Sequence, residues 1–167
     1  MTATHGPQGL ASKVVTRAEL ERLAEAWANE GSTTVFTNGC FDLLHVGHTR
    51  YLQAARALGD RLVVGLNSDA SVRGLKGPNR PILPEAERAE LLAALACVDY
   101  VLIFDEPTAD AAIQAARPDL YVKGGDYDPD AIPETPLVRS LGGAVRVLPF
   151  VEGRSTTSLV ARIQSLG

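Results

Sequence analysis

Five short apolar runs, TTVFT (33–37), RLVVGL (61–66), VDYVLIF (98–104), LYV (120–122) and AVRVLPF (144–150), alternate with segments of a different period. The runs are rich in β-branched and aromatic residues and nearly continuous, the pattern of strands covered on both faces. Around them apolar residues recur at helical spacing. Leu20, Leu23, Ala24 and Trp27 mark one helix, opened by a Thr16-x-x-Glu19 capping box and ended near Gly31. Tyr51, Leu52, Ala55 and Leu58 mark the next, closed by Gly59. Helices are also expected at 85–96, at 108–116 before Pro118, and near 134–141. Ser155 opens a terminal helix with Leu159, Ile163 and Leu166 on one face. This alternation implies parallel β-α-β units with right-handed crossovers. It predicts an α/β chain, a single Rossmann-like doubly wound domain of about five parallel strands in the order 3-2-1-4-5.

Two segments stand outside this pattern. Residues 1–12 lack apolar periodicity and are expected to form a flexible tail, which leaves 13–167 as the domain. The polar stretch NSDASVRGLKGPNRPILP (67–84) is expected to be a loop containing a short helical turn.

Composition narrows the setting. A chain of 167 residues with 46% hydrophobic content suits one soluble domain. Its net charge of −4 lacks the basic footprint of a nucleic-acid binder. No apolar run is long enough to span a bilayer, and the start has no secretory apolar core, so neither nucleic acid nor membrane is expected as a partner. Cys40 and Cys97 lie far apart and form no metal-type pair, which points to reduced thiols in a cytoplasmic protein.

The chemistry concentrates in GCFDLLHVGH (39–48), which holds two of the chain's three histidines, His45 and His48. They follow the first strand on a glycine-containing turn that opens a helix, the edge where open α/β sheets bind ligands. Ligation of zinc would need a third protein ligand, from Asp42 or Cys40, and no HExxH or Cys-x-x-Cys supports it. Phosphate binding fits better. A helix N-terminus offers unpaired N–H groups and partial positive charge, imidazoles add donors, and Gly47 leaves room beside the backbone. GRSTTSL (153–159) repeats the theme, placing Ser155, Thr156 and Thr157 at the start of the last helix. Two such helix starts in one small domain imply a polyphosphate ligand such as a nucleoside triphosphate. No Walker, dinucleotide-binding or nucleophile-elbow motif is present.

TNGCFDLLHVGH resembles the signature of the cytidylyltransferase-like nucleotidyltransferase superfamily, whose hallmark is His-x-Gly-His after the first strand. LNSDASVRGLKGPNRPI, the VDYV strand, PDLYVKGGDY and FVEGRSTTSL are similar to the adenylyltransferase domain of the bacterial ADP-heptose pathway, from Lys13 to the C-terminus. In many relatives this domain follows a sugar kinase domain, so this chain is expected to be the stand-alone form. The resemblance implies transfer of AMP from ATP to D-glycero-β-D-manno-heptose 1-phosphate, with ADP-heptose and pyrophosphate as products.

The resemblance also implies roles. His45, His48 and Lys76 serve catalysis, and Ser155, Thr156 and Thr157 hold the β and γ phosphates. Arg88 stands near the phosphates. Thr37, Asn38, Gly39 and Phe41 line the nucleotide's path, with Asp42 fixing their loop. Lys123, Gly124 and Asp126, at the end of the fourth strand, are expected to join the nucleotide site, facing the histidine turn across the topological switch point. Apart from the resemblance, the polar loop 67–84 offers Asn67, Asp69, Lys76 and Arg80 as partners for the sugar phosphate and its hydroxyls. Mg2+ is held through ATP phosphates rather than by protein ligands, and relatives suggest a homodimer. Glycerol-phosphate and choline-phosphate cytidylyltransferases carry an arginine two residues before the Val-Asp pair; Ala96 stands here, which weakens the case for CTP. Two alternatives stay open: a related transferase with glycerol 3-phosphate or a flavin phosphate as acceptor, and a non-catalytic nucleotide-binding module.

Overall fold

The computed structural model describes residues 9–149 and 152–167. The helices are α1 (Leu10–Lys13), α2 (Arg17–Asn29), α3 (Val46–Arg56), α4 (Asp69–Lys76), α5 (Glu85–Ala93), α6 (Asp110–Ala116), α7 (Thr135–Ser140) and α8 (Thr156–Gln164). The strands are β1 (Thr34–Gly39), β2 (Arg61–Asn67), β3 (Tyr100–Phe104), β4 (Leu120–Gly124) and β5 (Ala144–Leu148). They form one sheet in the expected order, β3-β2-β1-β4-β5, with every pairing parallel.

Side-chain alternation along β1 and β4 divides the core into two layers. Phe36 and Tyr121 pack with Trp27 of α2 and Ile113 of α6 on one side of the sheet. Val35 and Val122 pack with Leu52 of α3 and Leu92 of α5 on the other. Each fully buried Leu, Ile or Phe contributes on the order of 2 kcal/mol of transfer free energy. Gly65 is required inside β2, because a Cβ there would lie 2.7 Å from Cζ of Phe36. Register is pinned by a repeated device at the amino ends of the strands. Asp60, Asp119 and Asp99 accept from the backbone N–H groups of Thr33, Thr34 and Leu62, each at 2.7 Å.

Two expectations need correction. The segment 67–84 contains α4, an eight-residue helix rather than a brief turn. Ser68 starts it by accepting from Ser71 N–H at 3.2 Å, a cap that the loop-like composition conceals. Leu10–Ser12, expected in the tail, are helical in α1. This helix is held because Lys13 Nζ donates to Val98 O at 2.8 Å and Val15 N–H donates to Val101 O at 2.9 Å. Residues 1–8 of the expected tail lie outside the described residues, as do Phe150 and Val151 at the end of the fifth apolar run. Both cysteines are free. No described helix is long and apolar enough to cross a membrane.

Candidate active site

A cleft of about 840 Å³ opens at the carboxyl ends of β1 and β4 and is bounded by the N-termini of α3 and α8. This is the topological switch point of the sheet, where the chain leaves neighbouring strands toward opposite faces.

Both histidines are built into the start of α3. His45 is its N-cap, and its Nδ1 accepts from Gly47 N–H at 3.1 Å. His48 sits one turn on, and its Nδ1 accepts from His45 N–H at 3.4 Å. The rings stack with centroids 3.9 Å apart and planes at 27°. Because Nδ1 of His45 accepts, the proton of its neutral ring resides on Nε2, the nitrogen left for a ligand. Burial lowers the pKa of His45, assisted by the charge of Arg154. Burial pushes His48 down to about 4, with the charges of His45 and Lys76 acting the same way against the Leu43 carbonyl. Both are therefore neutral donors near pH 7. Gly47 is needed for a more local reason than phosphate approach: a Cβ there would lie 2.8 Å from Nδ1 and Cε1 of His45.

The loop before α3 carries strain. Phe41 has φ of 43°, a left-handed conformation that costs a non-glycine residue about 1 kcal/mol or more. It is offset by burial of the ring, whose centroid lies 5.3 Å from that of His48. Across the cleft, Ser155 caps α8, accepting from Ser158 N–H at 3.0 Å, and Thr156 Oγ1 donates to Leu43 O at 3.4 Å. The first-turn amides of α8 have no partner within the helix. Lys76 ends α4 and enters the cleft ahead of Gly77, whose φ is 95°. Three cationic side chains, Lys76, Lys123 and Arg154, face the cleft against one carboxylate, Glu152. Such a lining concentrates anions.

Of the residues singled out from sequence, Asn38, Gly39, Phe41, His45, His48, Lys76, Lys123, Gly124, Ser155, Thr156 and Thr157 line the cleft together. The others do not. Arg88, expected beside the phosphates, is 1% exposed and spends its guanidinium on the protein. Its Nε donates to Leu83 O at 2.9 Å, Nη1 to Cys40 O at 2.7 Å and Asn67 O at 2.8 Å, and Nη2 to Asp69 Oδ1 at 2.8 Å. Asp69, expected at the sugar phosphate, pairs with Arg88 outside the cleft lining. Asn67 is buried and donates to Ser71 Oγ at 3.0 Å. Arg80 pairs with Asp42 at 3.0 Å.

Asp42 also accepts from the N–H groups of Ile82 and Leu83 at 2.8 and 3.1 Å, so it fastens the 80–83 loop to β1. Burial alone would raise its pKa, but those amides and Arg80 outweigh it and hold the carboxyl below its ordinary value. Thr37 lies under the cleft floor, its hydroxyl 2.7 Å from Tyr51 Oη. Asp126 is exposed beyond the lining. Sequence reasoning overlooked Tyr51, which lines the cleft and donates to Val122 O at 3.0 Å, tying α3 to β4. It occupies a position in the apolar stripe of its helix, so periodicity hides its hydroxyl. Tyr127 and Glu152 were overlooked too; the KGGDY and EGRSTTS motifs were the available signal.

The family model described as cytidylyltransferase-like matches residues 36–161, and the chain belongs to that family. It is 57% identical to the Bifunctional protein HldE of Syntrophotalea carbinolica over 152 residues, 91% of this chain and 31% of that protein. The Bifunctional protein HldE of Koribacter versatilis is 55% identical over 90% of this chain and 31% of its own length. The chain thus spans about a third of the length of these relatives. A crystal structure of the lipopolysaccharide core biosynthesis protein from Thermoplasma volcanium GSS1 superposes with a TM-score of 0.62 at 29% identity. The match covers 74% of this chain and all of that one.

Proposed function

We propose that this chain transfers AMP from ATP to D-glycero-β-D-manno-heptose 1-phosphate, releasing pyrophosphate and forming ADP-heptose. One observation carries the reading: the N-termini of α3 and α8, two imidazoles and three cations converge on one cleft. The likeness to HldE proteins over nine-tenths of this chain supports it. The heptose acceptor rests on the similarity of LNSDASVRGLKGPNRPI, KGGDY and EGRSTTS to the adenylyltransferase domain of the ADP-heptose pathway.

An acceptor phosphate oxygen forms a bond to the α-phosphorus of ATP as the bond to the bridging β-phosphate oxygen breaks. A sugar phosphate has a second pKa of about 6, so the dianion needs no general base. Catalysis is alignment and charge stabilisation. His45 and His48 donate through Nε2 to α-phosphoryl oxygens, Lys76 closes over them, and Ser155, Thr156 and Thr157 hold the β and γ phosphates. Among the described residues no three His, Cys, Asp or Glu side chains are grouped to hold a metal. Mg2+ would enter with ATP, held by the phosphate oxygens, and would supply positive charge against the leaving pyrophosphate. The free thiols and the ATP substrate support a cytoplasmic setting. Exposed Leu159 and Ile163 on α8, with Leu166 just past its end, support a homodimer, which sedimentation would test.

The deciding experiment measures kcat/KM for heptose 1-phosphate and glycerol 3-phosphate, each with ATP and CTP. ATP with heptose 1-phosphate is expected to win by orders of magnitude, since a site built for sugar hydroxyls rejects acceptors lacking them. A win for CTP with glycerol 3-phosphate contradicts the substrate assignment.

A further inference from the structure

Alternation along the strands gives the cleft floor two sides. Thr37 and Val122 belong to the side of α3, through the hydrogen bonds of Tyr51. Phe36 and Tyr121 belong to the opposite layer, their rings 6.1 Å apart. Asn38 and Lys123 stand two residues further along those same strands and follow the second side. There Tyr121 Oη donates to Asn38 Oδ1 at 2.6 Å, and Lys123 Nζ lies 3.5 Å from Tyr121 Oη. Tyr121 itself is fully buried and does not line the cleft, whereas Asn38 and Lys123 do.

We propose that Asn38 and Lys123, expected from sequence on the nucleotide side, instead form the acceptor side of the cleft and bind the phosphate-bearing nucleophile, with Tyr121 as a positioning residue beneath them. This rests on the transfer reaction proposed above. The Tyr121 bond engages Oδ1 of Asn38 and orients the amide, leaving both N–H donors for a ligand. Beside the Lys123 ammonium they make a wall of donors, matched to a phosphate and its neighbouring hydroxyls. Burial holds the Tyr121 phenol far above its ordinary pKa, with the charge of Glu134 acting the same way, so it remains a neutral donor to Asn38. Direction follows from the reaction. The histidines grip the polyphosphate from the α3 side, and displacement in line requires the nucleophile to enter opposite the departing pyrophosphate. The second side of the floor is that entrance.

The test uses the full chain as wild type, Tyr121→Phe and Lys123→Met. In steady-state pyrophosphate release the acceptor KM rises about tenfold in Tyr121→Phe and further in Lys123→Met, the scale of a lost hydrogen bond to a charged group. The KM for ATP stays within about twofold, and kcat falls less than the acceptor KM rises. An ATP KM that climbs as far as the acceptor KM, or an acceptor KM unmoved in both variants, overturns the assignment. Calorimetry with a non-hydrolysable ATP analogue and Mg2+ supplies a second arm. Analogue affinity is unchanged in both variants, while inorganic phosphate binds the analogue-loaded wild type and not Lys123→Met. Equal phosphate binding by both proteins overturns the assignment as well. A wild type that binds the analogue but does not turn over heptose 1-phosphate sinks the transfer reading instead, and the calorimetric arm then decides the subsite alone.

Discussion

No methyl group fits between Gly47 and His45. A Cβ on Gly47 would lie 2.8 Å from Nδ1 and Cε1 of the imidazole and 3.3 Å from Cβ of Arg154. The glycine lets the His45 ring fold back onto its own helix start, where Gly47 N–H fixes the tautomer. Gly47→Ala is therefore expected to swing His45 out of line and cut kcat/KM by about tenfold or more, the scale for misplacing one transition-state donor. The melting temperature should move by only a few degrees, because a ring facing a cleft can shift without opening the core. Wild-type kcat/KM in this variant would contradict the role given to His45.

The pKa of His48 makes a prediction about acid. In the folded chain it lies near 4, against an ordinary value of 6.5. Between these values the unfolded chain binds a proton that the folded chain does not, so stability rises with pH across that window. The contribution is whole above pH 6.5 and is lost as pH falls toward 4. Proton NMR should show His48 neutral down to about pH 5, and His48→Gln should flatten the dependence of melting temperature on pH between 4 and 6.5. Adding ATP with Mg2+ should move the titration upward, since a polyphosphate favours the charged ring. Titration of the free protein near 6.5 would contradict the burial described for this ring.

Arg88 should behave as a structural residue. Its guanidinium joins the end of β2, the loop after β1 and the loop before α5 through Asn67, Cys40 and Leu83. Arg88→Met leaves those carbonyls and Asp69 unpaired and should cost about 3–5 kcal/mol in urea unfolding, the range for breaking a buried ion pair. Arg88→Lys should restore little, because one ammonium cannot span the same partners. A variant of wild-type stability with a raised ATP KM would return Arg88 to the phosphates.

Arg88 also shows where sequence reading stops. An arginine in the first turn of an Ala/Leu-rich helix looks the same in one dimension whether it faces a phosphate or the carbonyls of two strand ends. Tyr51 and Tyr121 disappear for a related reason, since each sits in an apolar pattern that accounts for its ring and says nothing of its hydroxyl. The alternation of strands and helices and the histidine turn were legible because they depend on period and position alone: buried runs alternate with amphipathic segments, and His-Val-Gly-His follows the first run. Asp42 lies between these cases. A loop-fixing role was readable from its place in the turn, but not its partners at Arg80, Ile82 and Leu83, which are distant in sequence.

The central claim is that the imidazoles at the start of α3 stabilise the α-phosphoryl transition state. Its most direct test is the turnover number of His48→Ala in the pyrophosphate-release assay, with circular dichroism taken on the same sample. The account predicts at least about a hundredfold loss with an unchanged spectrum, the scale for removing one transition-state donor. Turnover near that of the wild type, with the spectrum equally unchanged, would contradict it.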